Sequence, residues 1–310
     1  MASQERPSAF TALTEAELRT VMDATDYVAE DDVVTTVLLA LRLGKPLLVE
    51  GAPGSGKTEL GKVLATGFDT ELIRLQCYEG LTAENALSEW NYTKQLLAVQ
   101  ANERGVTEGE TVFDEEYLLE RPLLRALTHD GETPPVLLID EIDRADEEFE
   151  ALLLEILSDF QITIPEYGTV RAERPPIVVI TSNRTRALSD ALKRRCLFLH
   201  VEPPSFEKER EIVRRKVPDL DAGLVDELVG VTQRLREETL LKQPGVAETL
   251  DWSRALATLR ENGDGSLSRT DIEHTLGFLL KEVEDVERVD DSLLETLIEA
   301  AAEARVEVTS

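Results

Sequence analysis

Short apolar runs set off by turn residues recur through the first two thirds of the chain and alternate with stretches of helical periodicity. Pro46–Glu50, Val136–Glu141, Ile177–Thr181 and Cys196–Val201 carry their apolar residues side by side, the pattern of strands buried on both faces of a parallel sheet. Glu71–Gln76 predicts a further strand. Gln161–Ile164 and Thr169–Arg171, joined through Pro165, Glu166, Tyr167 and Gly168, read as a β-hairpin.

Helical patterns fill the intervals. Thr14 followed by Glu17 is a capping box that opens a short helix to about Asp23. Asp31–Leu43 carries Val33, Val34, Val37, Leu38 and Leu41 at helical spacing and stops at Gly44. Further helices are predicted at Lys57–Thr66, Ala145–Phe160 and Ser189–Arg195. Glu79–Gly109, with Trp90 and Tyr92, reads as a helix with an inserted excursion, and helical pattern resumes over Glu115–Leu127. After Glu202-Pro203-Pro204 only helices follow, at about Phe206–Lys216, Ala222–Glu238, Asp251–Glu261, Thr270–Glu287 and Ser292–Ala302. The expected fold is α/β, a parallel sheet flanked by helices with a small all-helical domain after it. Its expected parts are an arm and helix at 1–25, a core at 26–203 and the helical domain at 204–310.

The chemistry concentrates on the strand ends. Gly51-Ala52-Pro53-Gly54-Ser55-Gly56-Lys57-Thr58 matches the phosphate-cradling pattern G-x-x-x-x-G-K-[ST], between a strand and a helix as that loop requires. Its glycines permit positive φ and close backbone approach, so that N–H groups can turn toward phosphate oxygens. Lys57 supplies a charge for the β- and γ-phosphates of ATP, and Thr58 a hydroxyl for Mg²⁺. Roughly 85 residues on, Asp140 and Glu141 end the second buried strand. Asp140 would hold Mg²⁺ through its water shell, and Glu141 would polarise the attacking water. Asn183, at the end of the next buried strand, is either a turn former or a residue that positions that water.

Composition narrows the partners. The 62 Asp and Glu against 33 Lys and Arg give a formal net charge of −29, which repels nucleic-acid backbones. The densest basic runs, Lys193–Arg195 and Arg214–Lys216, are too short to reverse that. An acidic, lysine-poor surface also suits high salt, and a halophilic source is expected. Cys77 and Cys196 are isolated, as are His129, His200 and His274, so buried thiols in a reducing compartment are expected rather than a zinc site. No apolar stretch approaches the ~18 residues of a membrane span, and Met1–Ala9 lacks an apolar signal core, so the expected location is cytoplasmic.

Taken together, these motifs resemble the AAA+ ATPases and, within them, the MoxR family. Gly51–Thr58, Leu137–Glu141, Asn183 and an Arg of the Leu192–Arg195 segment fall in the order of that family's Walker A, Walker B, sensor 1 and arginine finger, and the hairpin before the sensor strand is similar to its pre-sensor hairpin. The resemblance spans about Tyr27–Leu259. It is closest to the CoxD-like branch through Leu72–Gly80, Glu89–Tyr92 and Ile139–Asp146. It implies that Arg195, with Arg194 as the alternative, reaches a neighbouring subunit's site and stabilises charge on the γ-phosphoryl. Arg254 falls at the sensor 2 position of a lid helix, where a surface Arg paired with Asp251 is the alternative. A finger in trans implies a homo-oligomeric ring, with six subunits as the expected number. The family acts as chaperone-like motors that help mature or activate a metalloenzyme or protein complex, often with a von Willebrand factor type A domain partner. For the CoxD-like branch the implied client is a molybdenum-containing, carbon monoxide dehydrogenase-like hydroxylase.

Other readings of the same loop are a nucleic-acid motor or clamp loader, opposed by the charge, and a slow nucleotide-dependent scaffold, opposed by Glu141 and Arg195. A small-molecule kinase would not need Asn183, an interface Arg and a helical lid. A GTPase would need an [NT]-K-x-D motif, whereas Thr93-Lys94 runs into Gln95-Leu96.

Overall fold

The computed structural model describes residues 8–90, 118–164, 167–259 and 265–307. The chain divides into two compact units. One comprises 1–25, 29–50 and 57–200; the other comprises 26–28, 51–56 and 201–310.

The first unit is built on a five-stranded sheet of order β2-β5-β8-β1-β9, from β1 (Leu47–Gly51), β2 (Leu72–Gln76), β5 (Val136–Asp140), β8 (Ile177–Ser182) and β9 (Leu197–Val201). The pairs β2–β5, β5–β8 and β8–β1 are parallel, with Leu72 opposite Val136, Val136 opposite Ile177 and Leu47 opposite Val179. Every residue of β1, β5 and β8 is buried, as apolar runs without alternation require of central strands. On β2, at the edge, Ile73 and Leu75 are buried while Arg74 and Gln76 are exposed.

Both faces of the sheet are covered. Leu137 and Ile139 join a core with α5 (Pro122–Thr128) and α6 (Glu147–Asp159), through Leu123, Leu127, Phe149, Leu153 and Ile156. Leu138 points the other way, against Gly61 of α3 (Lys57–Gly67). The capping box of α1 (Glu15–Asp23) forms, with Thr14 and Glu17 satisfying each other's backbone donors, and α2 (Asp31–Leu43) ends in Gly44 at φ 59°. The hairpin β6 (Gln161–Ile164) and β7 (Gly168–Arg171) pairs Gln161 with Arg171.

One stretch departs from expectation. Where a helix is predicted over Glu115–Leu127, Leu118–Glu120 is a strand, β4, paired antiparallel with β3 (Ser88–Trp90), and helix begins only at Pro122. Pro122 has no N–H to continue a helix and holds Arg121 extended at ψ 169°, so it starts α5 instead of lying within a longer one. Of the helix expected in Glu79–Gly109, the described part holds the single turn α4 (Ala83–Ala86) before β3; Tyr92 and the rest of the excursion lie outside the described residues.

The second unit buries its own core under α8 (Phe206–Lys216), α9 (Ala222–Arg236), α10 (Val246–Leu259), α11 (Arg269–Thr275), α12 (Val283–Glu287) and α13 (Asp291–Glu307). Trp252, wholly buried, donates its indole N–H to Thr275 Oγ1 at 2.6 Å. Three helices differ from the periodicity, the last of them, α13, by running on to Glu307 past the predicted Ala302. Helix α10 starts five residues before the predicted Asp251, because Thr249 and Ser253 take buried positions on its inward face and mask the apolar stripe. The predicted Thr270–Glu287 helix breaks after a 3₁₀ turn at Leu276–Phe278. Buried Asp285 there accepts the N–H groups of Leu241 and Lys242, at 2.8 and 3.0 Å, which pins α12 to a different segment.

Candidate active site

The carboxyl edge of the sheet brings together Asp140, Glu141, Asp143, Lys57 and Thr58. Strand β5 delivers Asp140, 3% exposed, and the first turn of α3 brings Thr58, whose hydroxyl donates to Asp140 Oδ1 at 2.9 Å. Thr181 Oγ1 donates to the same oxygen at 2.5 Å, and Arg74 donates to Oδ2 at 2.5 Å. Lys57 is buried at the start of α3. Burial lowers its pKa, and the carboxylates of Asp140, Asp143 and Glu141 oppose that shift.

Glu141 follows in a left-handed conformation, φ 56°, which costs a non-glycine residue energy and re-aims its side chain away from the strand direction. Thr181 supports that turn by accepting the Glu141 N–H at 3.0 Å, so one hydroxyl fixes both acidic residues. Glu141 Oε2 lies 3.1 Å from Arg144. Asn183, immediately after β8, donates its backbone N–H to Asp143 Oδ1 at 3.1 Å. Asp143 and Thr181 were not singled out from the sequence. Each reads locally as an ordinary turn acid or strand threonine, and only the pairing of β5 with β8 gives it a task.

Arg194 and Arg195 end α7 (Asp190–Arg195), exposed, immediately before Cys196 and β9. Both cysteines are free thiols: Cys77 is buried and Cys196 half-buried. Burial pushes each thiol up to about 12, with Asp140, Asp143 and Glu141 adding to the rise at Cys77.

The loop residues Gly51–Gly56 belong to the second unit and run into Lys57 along the chain. Gly54 and Gly56 adopt φ of 78° and 89°, the turn geometry that side chains resist. Gly54 O accepts the N–H of Val246 at 3.1 Å, and Gly245 lies so close that a Cβ there would fall 2.7 Å from Gly54 Cα. Beside Ala52, Pro53, Gly54 and Ser55 opens a cavity of about 310 Å³, walled also by Pro204 and Arg236. The Ser55 hydroxyl is buried with no hydrogen-bond partner among the described residues. Arg254, on α10, pairs with Asp251 at 3.2 Å on an exposed face.

Residues 46–196 match the family model of the AAA domain, dynein-related subfamily. That segment is an AAA domain. It covers Lys57, Thr58, Asp140, Glu141, Asn183 and Arg195. The chain is also similar to uncharacterized proteins of staphylococci. It is 27% identical to one from Staphylococcus haemolyticus over 76% of this chain and 84% of that protein. It is 27% identical to one from Staphylococcus saprophyticus over 77% and 86%, and 28% identical to one from Staphylococcus aureus over 70% and 77%.

AAA domains bind and hydrolyse nucleotide, typically with Mg²⁺, and the donors here fit those ligands. A hydroxyl and a buried carboxylate 2.9 Å apart are hard oxygen donors suited to Mg²⁺. The loop offers positive-φ glycines and an unsatisfied buried hydroxyl to an anion. Among the described residues no group of three His, Cys, Asp or Glu could hold a metal by itself, and no helix is long and apolar enough to cross a membrane.

Proposed function

We propose that this protein is an ATP-hydrolysing remodeller of the MoxR type, working as a homo-oligomeric ring. The observation that carries the reading is the hydrogen bond of Thr58 to Asp140, with Glu141 turned out of line at the next position. Thr58 and Asp140 would hold Mg²⁺, which supplies charge neutralisation at the β- and γ-phosphates. Lys57 carries a point charge into a buried position, where an anionic phosphate relieves its desolvation. Glu141 takes the proton of the attacking water, and Asn183 orients that water. Arg195, or Arg194 beside it, acts on the site of the next subunit, and Arg254 contacts nucleotide from the helical domain, which acts as a lid.

MoxR proteins belong to the same subfamily as the AAA domain found here. The proposed partners are further copies of this chain, six to a ring, and a protein with a von Willebrand factor type A domain. The proposed client is a metalloenzyme or protein complex. The resemblance to the CoxD-like branch points to a molybdenum-containing, carbon monoxide dehydrogenase-like hydroxylase. The acidic balance disfavours nucleic acid as the client.

Glu141→Gln keeps the size of the side chain and removes its basicity. It is expected to bind ATP and hydrolyse it about a hundred-fold or more slower. Affinity capture with this stalled form should retain a client that Lys57→Ala does not. Phosphate release at the wild-type rate from Glu141→Gln would remove Glu141 from the mechanism, and a stalled ring that retains only itself would remove the client.

A further inference from the structure

Arg74 has no role in the reading above, yet it makes the closest contact to the outward oxygen of Asp140. It lies on edge strand β2, whose Gln76 is in register with Asp140 of β5. Arg74 shares the exposed face of β2 with Gln76, two residues nearer the carboxyl edge. Its guanidinium reaches along that face, donating to Gln76 Oε1 at 2.7 Å and to Asp140 Oδ2 at 2.5 Å. The Asp140 carboxylate is nearly wholly buried, whereas the Arg74 side chain is half exposed.

The two oxygens of Asp140 are therefore treated differently. Thr58 and Thr181, both neutral hydroxyls, satisfy Oδ1. A full positive charge satisfies Oδ2. A divalent cation bound at Thr58 and Asp140 brings a second positive charge to the same carboxylate, and two cations at that range repel each other. Because Arg74 is half exposed, its head can swing into water at little cost, while Asp140 is fixed on its strand.

We infer that Arg74 is a resident counter-cation of Asp140 that Mg²⁺-nucleotide displaces, so that Arg74 sets the Mg²⁺ concentration at which nucleotide binds. This rests on the reading of Thr58 and Asp140 as the Mg²⁺ site. Arg74 acts through Asp140 and is a positioning residue. A role confined to holding up the fold would change stability without lowering the Mg²⁺ requirement.

The test is equilibrium binding of a fluorescent ADP analogue, which is not hydrolysed, to the full chain during a Mg²⁺ titration and in EDTA. Arg74→Met should lower the half-saturating Mg²⁺ concentration about five-fold, the worth of a half-exposed ion pair, with affinity in EDTA unchanged within about two-fold. Arg74→Gln, which keeps a donor and loses the charge, should move it the same way. Arg74→Lys should stay near the wild type. An unchanged or higher Mg²⁺ requirement in the folded Met or Gln variant overturns the inference. If wild type binds the analogue with Mg²⁺ and the variants leave the requirement alone, Arg74 fails while the nucleotide site stands. If wild type binds no nucleotide under either condition, the site reading itself fails.

Discussion

One oxygen of Asp143 accepts two hydrogen bonds from Thr185, from its backbone N–H at 2.9 Å and its hydroxyl at 2.5 Å. The other oxygen takes the N–H of Asn183. A buried carboxylate in the 3₁₀ turn after one strand thus fixes the turn that follows the next, and with it the residue proposed to orient water.

Asp143→Asn should show this in two measurements. The amide directs N–H groups at donors, so the turn carrying Asn183 shifts. ATPase kcat should fall about ten- to a hundred-fold, as small misplacements near reacting groups do, with KM changed less than about three-fold. Burial raises the Asp143 pKa, but the hydrogen bonds from Thr185 and Asn183 outweigh it and leave it below the ordinary 3.8. A depressed carboxylate stabilises the fold above its unfolded pKa and loses that contribution as pH falls through its folded one. Wild type should therefore lose more stability than Asp143→Asn in acid titrations below about pH 4. Equal kcat in the two proteins would separate Asp143 from the site.

Arg195 invites a subunit-mixing experiment. It ends α7 exposed beside Cys196, and the proposal gives it work on a neighbour. Lys57→Ala and Arg195→Ala should each be inactive alone. Mixed one to one in a randomly assembled ring, about one interface in four combines an intact Lys57 with an intact Arg195, and ATPase activity should return in proportion. Absence of rescue at every ratio would place the arginine's effect within its own subunit. The same mixing with Arg194→Ala decides between the two arginines.

What could be read in advance follows how local the signal is. That Thr58 and Asp140 share one edge is legible because each residue belongs to a motif defined by its immediate neighbours, and the topology of an α/β sheet brings the two motifs together. The capping box at Thr14 and the Gly44 stop are similarly local. At Pro122 two local signals compete: the apolar spacing of Leu118, Leu119, Leu123, Leu124 and Leu127 suits one helix, but proline divides it. Asp143, Arg74 and Gly245 carried no usable signal. Their partners are set by strand register or by a close approach between segments far apart in sequence, and neither leaves a trace in residue spacing.

The helical unit holds a buried ion pair of the same long-range kind, and it yields a stability prediction. Glu209 of α8, wholly buried, accepts both terminal nitrogens of Arg236 of α9, at 2.6 and 2.7 Å, along with Gln233 and Thr249 Oγ1. Arg236 also donates through Nε to Pro244 O at 2.7 Å, next to the Gly245 that abuts Gly54. Desolvating two charges offsets much of their attraction, so the pair adds little net stability, but removing one partner strands the other in the core. Arg236→Met should cost about 3–5 kcal/mol in urea titrations of the helical unit, and Glu209→Leu with Arg236→Met should cost clearly less than Arg236→Met alone. Arg236→Met should also weaken nucleotide binding, since it releases Pro244 and the contact of Gly245 with the phosphate loop. A double variant as unstable as Arg236→Met alone would mean that packing, not the stranded charge, sets the cost.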